Sequence, residues 1–134
     1  MQRLLNNAEN YVDEMLEGIY FAYPNQVTSV GNDLRCYVSK NVKPGKVGIV
    51  TGGGSGHLPL FLGYVGEGML DGCCIGGVFQ SPSADQILQT TEYVNQGAGV
   101  MHLFGNYSGD VMNFDMAAGM EQKEDLTCMQ IEAG

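Results

Sequence analysis

Thr51-Gly52-Gly53-Gly54-Ser55-Gly56-His57 is the stretch that decides the fold, and it directly follows the apolar run Val47-Gly48-Ile49-Val50. A short apolar run bounded by turn residues is typical of a buried strand. Lys43-Pro44-Gly45 supplies the turn on the other side of that run. We therefore expect a buried strand that ends at Thr51 and opens into a glycine loop. In an open α/β sheet, ligands bind at this carboxyl end of the strands.

The glycine loop favours a ligand that is rich in oxygen atoms. Without Cβ atoms in the way, its backbone N–H groups can donate hydrogen bonds to such a ligand, whether charged or neutral. His57 can donate to a hydroxyl group or act as a general acid or base. The P-loop and the dinucleotide fingerprint are both excluded, because each fails at His57. The plain alternative, a tight structural turn, fits this composition less well.

Helices and strands alternate on both sides of the loop. Apolar residues at three- and four-residue spacing predict a helix over residues 3–22. One or two short edge strands are expected within 26–45, and Ser83 with Gln86 fits a capping box. Further along, the patterns predict a short helix within 59–69, a strand over 72–78, a helix over 84–95, a strand over 100–104, a loop over 105–110, a helix over 111–120 and a strand over 126–131. This alternation indicates an α/β fold, layered, with a mainly parallel central sheet and flanking helices.

A second loop, Gly105-Asn106-Tyr107-Ser108-Gly109-Asp110, also follows the carboxyl end of a predicted strand. In a parallel sheet both loops open on the same edge, so Asp110 can meet a ligand held by the first loop. Locally, the simpler interpretation of Asp110 is an N-cap for a helix that begins at Val111. One carboxylate can fill both roles. His102 lies inside a predicted strand and is interpreted as a packing residue.

Composition narrows the function classes. The 134 residues are expected to form one domain, residues 1–134, and the net charge of −9 disfavours contact with nucleic acid or an anionic membrane. A neutral small molecule fits this charge better. Cys36, Cys73, Cys74 and Cys128 contain no CxxC pair, so we expect neither disulfides nor a metal site. The absence of a signal peptide or an 18-residue apolar run makes a cytoplasmic location the default expectation.

Both loops, taken with residues around them, resemble the substrate-binding subunit of the dihydroxyacetone (glycerone) kinase family. The glycine–histidine stretch and Asn106-Tyr107-Ser108-Gly109-Asp110 are specific together, although neither is specific alone. The other matching residues are Ala22-Tyr23-Pro24, Pro59, Gly63-Tyr64-Val65-Gly66, Gly68-Met69-Leu70, Phe79, Ser81-Pro82 and Asn113-Phe114. The resemblance covers essentially the whole chain and implies the first domain of that subunit.

The resemblance implies a function and a set of site residues. The family phosphorylates dihydroxyacetone and related short ketoses, with links to glycerol metabolism and the phosphotransferase system. Gly53, Gly54, Ser55 and Gly56 are then expected to bind the substrate. His57 and Asp110 are expected to hydrogen-bond its hydroxyl groups and to assist proton transfer. The domain itself is expected to bind no cofactor, since ATP or a phosphorylated, nucleotide-binding partner subunit supplies the phosphoryl group, and the subunit is expected to be a homodimer.

Three departures from the family pattern leave a second function open. Leu58 stands where the family usually has Glu, and Gly105 stands where it usually has a substrate-site Lys. The family's second domain, which supplies a histidine that binds the substrate carbonyl covalently, has no counterpart in these residues. We therefore expect the chain to continue into that domain. The kinase subunit is the first interpretation, and a non-catalytic paralogue that binds a ketose and acts as a regulatory co-activator is the alternative.

Overall fold

The structure, a computed structural model, describes residues 3–59, 61–123 and 127–134. Within these residues, the centre of the molecule is a six-stranded sheet. The strands are β1 (Val27–Val30), β2 (Asp33–Ser39), β3 (Gly48–Gly53), β4 (Gly72–Ile75), β5 (Val100–Gly105) and β6 (Cys128–Ala133). Their spatial order is β1-β2-β4-β3-β5-β6, and the four strands from β4 to β6 are mutually parallel. The predicted α/β fold with a mainly parallel sheet is therefore confirmed.

Helices cover the two faces of the sheet. They are α1 (Tyr11–Ala22), α2 (Ala84–Val94) and α3 (Ser108–Lys123). Successive strand residues point to opposite faces, so adjacent Cys73 and Cys74 on β4 enter separate cores. Cys74 packs in the core that includes residues of α2 and α3, and Cys73 packs in the core that includes residues of α1. Among the described residues, no helix is long and apolar enough to cross a membrane.

The first helix starts later than predicted. Residues 3–7 are not helical, and a 3-10 turn over Ala8–Asn10 precedes α1. The Asn7 side chain accepts a hydrogen bond from the Glu9 N–H, which starts that turn. Leu4 is fully exposed, so the apolar spacing before Asn7 does not correspond to a buried face. The predicted edge strands within 26–45 are β1 and β2, although β2 lies inside the sheet between β1 and β4.

The prediction of a short helix within residues 59–69 is wrong. Only a 3-10 turn over Leu62–Tyr64 forms there, and Leu60 lies outside the described residues. Phe61 has a φ of 68°, in the left-handed region, so the backbone cannot continue a right-handed helix through it. The glycines at 63, 66 and 68 further disfavour a helix.

The remaining elements agree with the patterns apart from their ends. The helix predicted over 84–95 is α2, and its capping box is present, with Ser83 Oγ accepting from the Gln86 N–H at 3.2 Å. β4 ends at Ile75 rather than at residue 78, because the chain then enters a turn in which the Gln80 N–H donates to the Gly77 carbonyl at 3.4 Å. α3 begins at Ser108, three residues before the predicted start, and ends at Lys123. β6 begins at Cys128, and residue 126 of the predicted strand lies outside the described residues.

Candidate functional site

A cavity of about 410 Å³ lies where the loops after β3, β4 and β5 meet. These strands are parallel neighbours, so their carboxyl ends share one edge of the sheet. The cavity is lined by Gly54, His57, Phe61, Phe79, Gln80, Ser81, Gly105, Asn106, Tyr107 and Asp110. The sequence-predicted convergence of the two loops at one edge is confirmed, and the loop after β4 forms a third wall.

The glycine loop packs closely against the loop after β4. The Ser55 N–H donates to the Gly77 carbonyl at 2.9 Å, and the Gly56 N–H donates to the Val78 carbonyl at 2.7 Å. A Cβ atom on Gly56 would lie 2.5 Å from the Val78 carbonyl oxygen. Two of the N–H groups that the sequence assigned to a ligand are therefore used between loops. Glycine is needed here for the close approach of two backbones.

His57 stands at the end of the short 3-10 turn Ser55–His57, and its side chain is exposed. Its ring meets the Phe61 ring edge-on, with centroids 6.5 Å apart. Phe61 also lies over Gly53, where an added Cβ would come within 2.5 Å of the phenyl ring. Gly53 therefore packs against the Phe61 ring, which lines the cavity, and is not itself a lining residue.

Asp110 lies in the first turn of α3 and also lines the cavity. Only 4% of its surface is exposed, and its Oδ1 has no hydrogen-bond partner among the described residues. Burial raises the pKa of this carboxyl above its ordinary value, and the nearby Ser81 hydroxyl offsets part of the rise. The N-cap interpretation of Asp110 is wrong, because α3 begins two residues earlier, at Ser108.

Ser81 connects the loop after β4 to α3. A Cβ atom on Gly109 would lie 2.6 Å from Ser81 Oγ, and Asn113 donates from Nδ2 to the Pro82 carbonyl at 2.8 Å. Ser81 Oγ is buried and close enough to the Asp110 carboxyl to lower its pKa, yet neither Ser81 Oγ nor Asp110 Oδ1 makes a hydrogen bond of ordinary geometry within the part of the chain that the structure describes. Two buried polar atoms without partners thus belong to residues that line the same cavity, and a rotation of the side chain would bring either atom to the cavity surface.

The six residues singled out from the sequence fall into two groups. Gly54, His57 and Asp110 line the same cavity. Gly53 lies beneath Phe61, while Ser55 and Gly56 line a neighbouring cavity. The sequence also places Phe79, Gln80 and Ser81 toward this edge, since they follow another predicted strand, so among the lining residues only Phe61 was not expected there.

The chain is similar in sequence to a known protein family and to curated relatives. The family model described as the Dak1 domain matches residues 17–134. The dihydroxyacetone-binding subunit DhaK of PTS-dependent dihydroxyacetone kinase 1 from Listeria innocua is 44% identical over 131 residues, which is 98% of this chain and 40% of that subunit. An L-erythrulose kinase of Pectobacterium atrosepticum is 40% identical over 129 residues, which is 96% of this chain and 21% of that protein. The chain thus spans two fifths or less of the length of these relatives.

Two solved structures have similar folds. The dihydroxyacetone kinase of C. freundii, in its native form, superposes with a TM-score of 0.91 at 31% identity, covering 99% of this chain and 25% of that one. The structure titled dihydroxyacetone kinase operon co-activator Dha-DhaQ superposes with a TM-score of 0.84 at 34% identity, covering 90% of this chain and 36% of that one. A kinase and a co-activator therefore share this fold at comparable sequence distance.

Proposed function

Since this chain belongs to the Dak1 domain family, we propose that its cavity binds dihydroxyacetone or a related short ketose. We infer that the chain is part of a longer protein, in which the ketose accepts a phosphoryl group. The observation that carries the proposal is the pair of buried, unpartnered oxygen atoms, Ser81 Oγ and Asp110 Oδ1, on residues lining a cavity that His57 also lines. Once these side chains rotate toward the cavity, a small neutral molecule with several hydroxyl groups can satisfy both atoms.

The chemistry of the cavity fits a hydroxyl acceptor. Phosphoryl transfer depends mainly on positioning and on removal of the proton from the attacking hydroxyl. The raised pKa of Asp110 brings this carboxyl closer to neutral pH, where a general base works best. His57, on the exposed side of the cavity, can hold a second hydroxyl group of the ketose. We propose that the phosphoryl donor, ATP or a phosphorylated partner subunit, comes from outside these residues.

Replacing His57 with alanine is expected to weaken binding of dihydroxyacetone by about 2–12-fold, because a hydrogen bond from this exposed side chain contributes about 0.5–1.5 kcal/mol. His57→Gln, which keeps a donor, should recover part of the affinity. Isothermal titration of the full-length protein measures both effects.

The control for this titration is Asn41→Ala. Asn41 is exposed, follows the antiparallel strand β2 at the opposite edge of the sheet, and should leave affinity unchanged. The proposal fails if the wild-type protein shows no saturable binding of the ketose, or if His57→Ala binds as tightly as the wild type.

Gly105 favours a second candidate function, that of a co-activator that binds a ketose without phosphorylating it. In the family pattern a lysine stands at this position of the cavity wall. Gly105 contributes neither a side chain nor a cation there. The co-activator structure named above is also 34% identical to this chain. If this alternative holds, the full-length protein will bind dihydroxyacetone yet transfer no phosphate from ATP or from a phosphorylated partner subunit. Measurable, donor-dependent formation of the ketose phosphate excludes it.

A further inference from the structure

Three side chains of different ligand types meet in the interior, away from the ketose cavity. His102 on β5, Glu121 on α3 and Cys128 at the start of β6 each place a potential metal-binding atom within 4.8 Å of the other two. We call these residues the buried triad. His102 and Glu121 are fully buried, and Cys128 is partly buried. None of the three lines the ketose cavity.

Hydrogen bonds fix which nitrogen of His102 is free. The Thr91 hydroxyl donates to the Ile87 carbonyl at 2.7 Å, so its oxygen is left to accept from His102 Nε2 at 2.9 Å. Nε2 therefore carries the proton and Nδ1 carries the lone pair. Nδ1 lies 3.4 Å from Cys128 Sγ. A metal-binding imidazole commonly has this arrangement, with one N–H held by a protein oxygen and the other nitrogen free to coordinate.

Glu121 is the group that ordinary packing leaves unexplained. Its carboxyl is fully buried and lies near the Cys128 thiol, yet neither oxygen makes a hydrogen bond of ordinary geometry within the described part of the chain. Oε1 lies 3.4 Å from His102 Nε2, but that N–H is directed at Thr91. A buried carboxyl without partners is costly, and such groups are usually paired or bound to a metal.

We propose that the buried triad is a zinc site, with Cys128 Sγ, His102 Nδ1 and a Glu121 oxygen as ligands. Zinc takes this mixture of sulfur, nitrogen and oxygen, and at ordinary bond lengths and a tetrahedral angle its sulfur and nitrogen ligands lie about 3.5 Å apart. The 3.4 Å between Sγ and Nδ1 fits that spacing. The Glu121 carboxyl has to turn from the Nε2 side toward Nδ1. The fourth position is left for water or a further ligand.

Metal binding here releases a proton. Burial, with a contribution from the Glu121 carboxyl, raises the pKa of the Cys128 thiol well above its ordinary value. Without metal the thiol keeps its proton, which it can donate to Nδ1. Zinc replaces that proton, a zinc–thiolate bond forms, and one proton leaves to solvent for each ion bound at the thiol. The alternative to the zinc site is that His102, Glu121 and Cys128 pack together in the core and bind no metal.

The test uses the full-length protein, stripped of metal with a chelator and titrated with Co²⁺ alone and then with Zn²⁺. Cobalt bound to a thiolate absorbs in the near ultraviolet, so we expect a saturable band at one Co²⁺ per chain that Zn²⁺ removes. Cys128→Ser should abolish the band. Glu121→Gln should keep it and weaken Co²⁺ binding by about 10–100-fold.

Two matched variants serve as controls. Glu132→Gln makes the same change in an exposed residue of β6, and Cys36→Ala removes a buried thiol that is not in the triad, so both should keep the band and the affinity. Circular dichroism checks that each variant is folded. If Cys128→Ser does not fold, Glu121→Gln, which is close to isosteric, decides the ligand set. A folded wild-type protein without the band, a band that survives in Cys128→Ser, or Glu121→Gln binding as tightly as Glu132→Gln overturns the proposal.

Discussion

Replacing Gly76 with alanine is expected to lower the free energy of unfolding by about 3 kcal/mol or more, the upper range for overpacking a tight site. An added Cβ would lie 1.7 Å from the Gln80 carbonyl oxygen, which belongs to the backbone and cannot rotate away as a side chain can. The Gly76 N–H also donates to the Gly53 carbonyl at 2.9 Å, so any shift disturbs the end of β3. Chemical denaturation measures the loss.

The same substitution should also damage the cavity, because the added Cβ would displace the backbone of Gln80 and Ser81, which line its wall. Gly119→Ala is the matched control. Gly119 is exposed inside α3, and no atom of the described residues would lie within 4 Å of an added Cβ, so alanine there should stabilise the protein by about 0.5–1 kcal/mol. An unchanged unfolding midpoint for Gly76→Ala would contradict the steric argument.

The succession of most strands and helices along the chain, and the edge of the sheet at which the cavity lies, were predictable from local patterns. The apolar run before Thr51 and the one that ends at Phe104 each indicate a buried strand, and parallel strands bring their following loops to one edge. The roles of the individual glycines were not predictable. Position 56 requires glycine because the carbonyl of Val78 lies against it. These two residues are 22 positions apart in the sequence. Such a contact leaves no periodic pattern in the sequence.

The wrong and the missing predictions have similar physical causes. The pattern over 59–69 looked helical because composition does not reveal the left-handed backbone of Phe61. The spacing of His102, Glu121 and Cys128 matches no metal-binding motif, since they come from two strands and a helix that meet only after folding. His102 is buried, as the packing interpretation expects, but its hydrogen bonds and its carboxyl neighbour, on which the proposed metal site depends, required the structure.

Asp110→Asn is expected to reduce phosphoryl transfer by about 10²–10⁴-fold if the full-length protein is a kinase, since this is the usual contribution of a positioned general base. Asparagine keeps the size of the side chain and one acceptor oxygen but cannot take a proton. The fall should therefore appear mainly in kcat, with a smaller change in KM. Transfer to dihydroxyacetone from the donor under steady-state conditions measures both constants. Asp115→Asn, an exposed residue of the same helix, should leave them unchanged.

The same variant should make the ligand-free protein more stable near neutral pH. Because burial raises the pKa of Asp110 in the folded state, the unfolded chain releases this proton first as the pH rises. Wild-type stability therefore falls as the pH rises from the ordinary carboxyl value through the raised folded value, and it stays lower above that. Asp110→Asn removes this loss, so its advantage in Tm over the wild type should be smallest in acid and grow toward pH 7. A pH-independent difference would contradict a desolvated carboxyl at the site. The growing difference, combined with lost transfer, would mean that Asp110 destabilises the empty cavity and serves the bound ketose.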